Sequence, residues 1–374
     1  MLGYIIGYIT NKVCQRVKGI FCLLLWVLCC YACQTYRDDD GKSIFYDDMA
    51  KCTRLVDLFE DANYEVIPLE VDSIAIPVVG MKFFAHQDYF LIGDNQYART
   101  IFLYDSNGKF LHAIGSRGKG PNEYSELVDF SVWHDTISVA DVGSSGDCFL
   151  YYGLDGNFLG KTEVSEKVIS FARNQKGEYI INSGRNAFQS NWQITRYTSD
   201  LKVLEQCWKL DEKENNIPVF EHNFNHSDNG VFFHEAFNNQ LHKLVDNQFE
   251  PSYKLVFDDK NDFTSVRTGN FMAEMEELYK KGFYLLNGYL ENDSFVFLSL
   301  DYMEDSKNEK QVLGVYNKNL GKGRVFEMPP STMLMGNLKD NALYLMAADD
   351  FVNEQLPNLV QAEETDVFII KVIL

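Results

Sequence analysis

Little in this chain kinks it, staples it or gives it positive charge. Proline occurs 8 times in 374 residues and glycine 25 times, far below the content of collagen-like or low-complexity chains. Of the 8 cysteines, Cys14, Cys22, Cys29, Cys30 and Cys33 crowd the N-terminus. Only Cys52, Cys148 and Cys207 remain, too far apart in sequence for a disulfide framework or a zinc pattern. Lys and Arg total 34 against 54 Asp and Glu, a formal charge of −20. That balance excludes nucleic acid as a partner, because phosphates require clustered cations. Catalytic signatures are missing as well: there is no Gly-x-Ser-x-Gly elbow, and no serine or cysteine has a foreseeable histidine partner. What is abundant is aromatic: 28 Phe and 21 Tyr, residues that favour strands.

One apolar run stands out. Lys12, Arg16 and Lys18 precede Ile20–Leu28, and the run continues through Cys29, Cys30, Tyr31 and Ala32 with no acid before it. A basic segment ahead of a short apolar run reads as a secretory signal, and the run is shorter than the roughly 20 residues a membrane-spanning helix takes. Ala32-Cys33 matches the small-residue-then-Cys pattern of bacterial lipoprotein cleavage sites, although Cys30 stands where leucine is usual. Residues 1–32 are therefore read as a lipoprotein signal peptide, Cys33 as the lipidated residue, and 33–60 as a tether. The acidic stretch Asp38-Asp39-Asp40 is similar to the surface-export signal of some Gram-negative lipoproteins. The expected location is the outer membrane, lipid-anchored, on the cell surface or the periplasmic face.

A short pattern recurs through the rest: a turn residue, a strand of β-branched and aromatic residues, and a residue six positions on. The copies are Asp88–Asp94, Asp135–Asp141, Gly177–Ser183, Asn229–Glu235, Asp293–Ser299 and Asn341–Ala347, at intervals of 42 to 64 residues. Between them lie strand–turn–strand segments such as Ile101–Ile114, whose Asp105-Ser-Asn-Gly108 supplies the positive φ of a tight turn. Each unit thus reads as four antiparallel strands, and the expected fold is all-β: a six-bladed β-propeller over residues 61–374. The last unit is one strand short, and Tyr64–Glu70 is predicted to complete it from the N-terminal side. The longest interval holds Phe271–Gly282, where Met272, Met275, Leu278 and Tyr279 fall at helical spacing with Lys280 and Lys281 at the end. A short helix is expected there, between the fourth and fifth blades, packed on the rim or serving as a lid.

The most distinctive segment is Ile114-GSRGKGPNEY-Tyr124. With Phe102-LYDSNGKFL and Ile67-Pro-Leu-Glu70 it resembles the six-bladed β-propeller lipoproteins of gut-type Gram-negative bacteria, distant relatives of NHL-repeat propellers. The resemblance covers roughly residues 64–374 and rests on Gly118-x-Gly120-Pro121-x-Glu123-Tyr124. It implies an exported propeller and little about a ligand, because that family is defined by its fold.

In a propeller the second strand of each blade ends on the face where the blades are linked. Asp94, Asp141, Ser183, Glu235, Ser299 and Ala347 would ring that mouth, with Asp301 and Asp349 two residues beyond and Arg117, Glu123, Tyr124 and Arg185 nearby. Such mouths are common ligand sites. The expected activity is binding, with a glycan, a peptide or an envelope protein as partner. The alternative is a metal-dependent hydrolase or lyase: Asp94, Asp141 and Glu235 could supply oxygen ligands to Ca²⁺, the one cofactor the ring suggests. Equally, these carboxylates could cap strand ends by accepting from loop amides. The glycine-rich loop lacks the Gly-Lys-Ser/Thr ending and the following helix of a phosphate cradle. Four histidines, His222, His226, His234 and His242, lie close in sequence beside Glu221 and Glu235, but no spacing forces them into a zinc site.

Overall fold

The computed structural model describes residues 43–59, 62–71, 82–95, 97–143, 146–184, 190–210, 222–227, 230–258, 260–263, 265–266, 270–359 and 367–374. Cys33 and Arg185 lie outside them. Three short strands come first: β1 (Ser43–Phe45), β2 (Ala50–Cys52) and β3 (Asn63–Pro68). Three four-stranded antiparallel sheets follow. They comprise β4 (Lys82–His86), β5 (Tyr89–Asp94), β6 (Thr100–Asp105) and β7 (Phe110–Ile114); β8 (Leu127–Trp133), β9 (Thr136–Gly143), β10 (Gly146–Gly153) and β11 (Phe158–Val164); and β12 (Ser170–Arg173), β13 (Tyr179–Asn182), β14 (Trp192–Tyr197) and β15 (Val203–Lys209).

A fourth meander, β16 (Phe224–Ser227), β17 (Gly230–Phe233), β18 (Gln240–Val245) and β19 (Gln248–Val256), belongs to a nine-stranded sheet. Helix α1 (Phe271–Lys281) then leads into β20 (Phe283–Glu291), β21 (Phe295–Met303), β22 (Glu309–Asn317) and β23 (Lys322–Met328), and β2 joins their outer edge to make five strands. The chain closes with β24 (Met333–Lys339), β25 (Ala342–Ala348), α2 (Asp349–Gln355) and β26 (Val367–Ile373). This last meander joins β16–β19 in the nine-stranded sheet through one parallel pairing, Ser227 with Leu338. The architecture is all-β and propeller-like.

Sequence explains why these strands stack face to face. In β6, Ile101, Phe102, Leu103 and Tyr104 are all buried, so both faces of the strand are covered. Phe102 and Tyr104 pack with Tyr344 and Met346 of β25, whereas Ile101 and Leu103 pack with Phe130, Ile137 and Val139 of the next sheet. One alternating strand therefore serves two neighbours, which a propeller requires and a sandwich does not. Each buried Phe or Leu contributes roughly 1.5–3 kcal/mol.

The predicted completion of the last unit is present. β3 lies antiparallel to β26, with pairs running from Pro68–Phe368 to Asn63–Ile373, and Lys371 Nζ meets Glu65 at 3.0 Å. The predicted helix is present as well. Asn270 caps it by accepting from the Ala273 amide, and Gly282 ends it at φ +70°. The segment read as a tether looks different. Ile44, Tyr46, Met49, Leu55, Leu58 and Phe59 are buried; β1 extends the edge of β19, and β2 runs parallel to β23. Arg324 Nη1 donates to the Asp57 carbonyl at 2.6 Å and holds this belt in place. α2, at Asp349, also has no counterpart in the sequence reading.

Polar clasps join the innermost strands. Asn337 Oδ1 accepts from the Ala85 amide at 2.8 Å while its Nδ2 donates to the Ala85 carbonyl at 3.0 Å, tying β24 to β4. Asn225 Oδ1 accepts from the Tyr289 amide at 3.0 Å, tying β16 to β20.

Candidate ligand-binding mouth

The residues expected to ring the mouth are mostly engaged by nearby loop amides and side chains. Asp94 ends β5, and its two carboxylate oxygens accept from the Tyr97 and Ala98 amides at 3.0 and 2.8 Å. Asp141 Oδ1 accepts from the Ser125 and Glu126 amides at 2.8 and 2.9 Å. Glu235 accepts from the side chains of Gln193 (2.6 Å) and Asn238 (2.9 Å), and Ser183 Oγ donates to Glu166 at 3.5 Å. Ser299 and Ala347 are buried, and Asp349 opens α2. Among the described residues no group of three or more His, Cys, Asp or Glu is placed to hold a metal ion. The carboxylates act as strand-end caps, a geometry different from a shared calcium shell.

The glycine-rich loop between β7 and β8 folds onto itself. Glu123 Oε2 accepts from the Gly120 amide at 2.7 Å, and a Cβ on Gly118 would run into the same carboxylate. Glu123 therefore seals the loop through a backbone amide. Tyr124 is fully buried, and its hydroxyl contacts the Arg99 carbonyl and Thr100 Oγ1 at 3.2 and 3.1 Å. Burial pushes its phenol up to about 12. Its amide donates to the Ser116 carbonyl, and the Gly118 amide donates to its own carbonyl. Arg117 is half-exposed, with Nε donating to the Ser125 carbonyl at 3.2 Å.

A second constellation lies on the innermost strands. Lys82 Nζ donates to Asp129 Oδ1 at 2.7 Å and to the Phe130 carbonyl at 2.9 Å. Asp129 is completely buried; Oδ1 also takes the Phe130 amide (2.8 Å) and His222 Nδ1 (3.3 Å), and Oδ2 accepts from the Phe171 amide (2.9 Å). One carboxylate thus links β4, β8, β12 and the approach to β16. Burial alone would raise this carboxyl, but Lys82 and His222 outweigh it and hold it at about 2. His226 packs tilted against Phe84, ring centres 5.2 Å apart; burial, helped by Lys82, pushes it down to about 3, so it is neutral.

His234 follows β17 and is likewise buried and neutral, pushed down by burial to about 4 although a hydrogen bond to the Asn287 backbone opposes the shift. Its main chain is clamped by Asn223, whose carbonyl accepts from the His234 amide (3.0 Å) and whose Nδ2 donates to the His234 carbonyl (3.1 Å). Asn287 sits at a bulge in β20 and is the one exposed residue of that strand. Its side chain hydrogen-bonds Asp301, whose carboxyl burial raises to about 6. His242 is elsewhere, 4.7 Å from the Trp208 ring.

Sequence reading singled out His222, His226 and His234 without a reason for them to meet, and it passed over Lys82, Asp129 and Asn287. The signal was present: a lone charged residue inside an otherwise apolar inner strand, Met81-Lys-Phe-Phe and Leu127-Val-Asp-Phe.

Comparison with known proteins agrees with the fold. A crystal structure of a Bacteroides fragilis protein inferred to be exported superposes with a TM-score of 0.66 at 16% identity, covering 88% of this chain and 99% of that one. A Bacteroides caccae protein of unknown function matches at 14% identity and a TM-score of 0.41, over 66% of this chain and 85% of that one. No curated protein matches the chain. Among the described residues no helix is long and apolar enough to cross a membrane. Residues 48–368 match the family described as Domain of unknown function (DUF4934), and the chain belongs to that family.

Proposed function

We propose that this chain is an exported, lipid-anchored, six-bladed propeller that captures a ligand at the mouth where the second strands end. Six four-strand meanders can be counted if β16–β19 and the β24–β26 set with β3 are taken as separate blades of the nine-stranded sheet. The N-terminal signal pattern with Ala32-Cys33 supports export, as does the description of the Bacteroides fragilis relative. The observation that carries the binding reading is the polar set on the first two strands of the meanders: Lys82, Asp129 and Asn287 on the innermost strands, His222 just before β16, His234 just after β17 and Asp301 in β21, where an ordinary core would place apolar side chains.

A metal-dependent hydrolase at the same mouth would need Asp94, Asp141 and Glu235 to turn away from the groups they now hold. The test is a thermal-shift scan of EDTA-treated protein with Ca²⁺, Mg²⁺, Mn²⁺ and Zn²⁺. Saturation at about 100 times the dissociation constant adds roughly 2.7 kcal/mol to stability. No shift with any ion is expected. A large Ca²⁺ shift that disappears in Asp141→Ala would replace the binding reading with the hydrolase.

A further inference from the structure

The corner between β17 and β20 has hydrogen-bonding capacity left over. The His234 ring nitrogen that reaches the Asn287 carbonyl must carry the hydrogen, because a carbonyl only accepts. Nδ1 makes no hydrogen bond, so it presents a bare lone pair in a residue only 2% exposed. The clamp from Asn223 fixes the main chain, and burial with the bond to the Asn287 backbone holds the ring itself. A buried acceptor without a donor costs about 1–3 kcal/mol, and such a cost in a native protein calls for an explanation. Beside it, Asn287 opens the strand to solvent at a bulge, a device that re-aims side chains next to binding sites. Asp301 adds further acceptor oxygens, of which the Asn287 amide engages one.

The corner is thus rich in acceptors and poor in donors, so its ligand must bring hydrogens. Charge narrows the class. His222, held against Asp129, acts on His234 and disfavours a second cation beside it. Glu309, which acts on Asp301, disfavours an anion, as does the chain's charge of −20. A neutral molecule with several hydroxyls meets these conditions.

We propose that the His234–Asn287–Asp301 corner of the mouth binds a neutral carbohydrate through its hydroxyl groups. This rests on the binding reading above and specifies its ligand class. Asn287 is the contact most open to substitution, because it is exposed and its side chain's one assigned partner is Asp301.

The experiment uses the detergent-solubilised full chain and isothermal titration with neutral oligosaccharides from starch, xylan, mannan and chitin, alongside an array of peptides. At least one oligosaccharide is expected to bind. Asn287→Ala should then weaken it about tenfold, with a melting temperature lowered only by the loss of its bond to Asp301, and Asp301→Asn, which alters one acceptor and preserves shape, should weaken it as well. Binding that both variants retain at wild-type strength would overturn the location. Peptide capture with no oligosaccharide bound would overturn the ligand class while leaving the binding reading intact. No capture of either kind would overturn both.

Discussion

The loop Gly115–Tyr124 and the corner at His234, Asn287 and Asp301 are opposites. The loop is the most recognisable stretch of the sequence, and its Glu123 and Tyr124 are turned inward while Arg117 stays half-exposed. Glu123 closes on the Gly120 amide, Tyr124 is sealed beneath, and the Tyr152 hydroxyl donates to the Asn122 carbonyl at 2.9 Å. The corner has no motif, and its three residues come from β20, β21 and the end of β17; yet it retains an unmatched lone pair and an exposed amide. A memorable pattern in one sequence marks a difficult piece of backbone as readily as a site. Ligand chemistry is better sought where polar atoms are buried and left short of partners.

Substitutions can sharpen this contrast. The largest effect is expected at the hub beside the corner. Lys82→Met leaves the fully buried Asp129 without its cation and should cost about 3–5 kcal/mol, read by urea denaturation. Gly118→Ala drives a methyl group into the Glu123 carboxylate and should cost about 1–3 kcal/mol, with any ligand affinity unchanged. A smaller effect, of opposite sign, is expected at Asp301. Burial lifts its folded carboxyl to about 6 against an ordinary 3.8, with Asn287 opposing the rise by donating to it and Glu309 adding to it. Between about pH 4 and 6 the folded state then holds more proton than the unfolded state, so this group lowers stability as pH rises through that window. Asp301→Asn should remove that slope and leave the protein on the order of 1–2 kcal/mol more stable at pH 8, read by melts across pH.

Much of the fold was legible. The repeated turn-and-strand unit, the β3–β26 closure and the helix at 271–281 follow from period, turn chemistry and capping, all of which are local. The belt at 44–59 was not. Its strands are three residues long, too short for alternation to register, and its anchoring residues, Tyr46 and Leu55, sit among Asp47, Asp48 and Arg54. For the site, Asp94 ends β5 while Asp141 lies two residues inside the end of β9, and sequence could not choose between capping and metal binding, because that depends on where the loop amides lie. Lys82 and Asp129 are 47 residues apart and meet only because adjacent inner strands do. The Asn287 bulge depends on register, which no run of apolar residues reveals.

The most direct test sets the two regions against each other in one protein background: Asn287→Ala and Glu123→Ala, each measured for melting temperature and for oligosaccharide affinity. Asn287→Ala is expected to lose affinity about tenfold, with a fall in melting temperature no larger than its one bond to Asp301 explains. Glu123→Ala, which frees the Gly120 amide, is expected to lose about 1–2 kcal/mol of stability and keep its affinity. The reverse pattern, affinity lost at Glu123 and retained at Asn287, would contradict the assignment of the loop to architecture and the corner to binding.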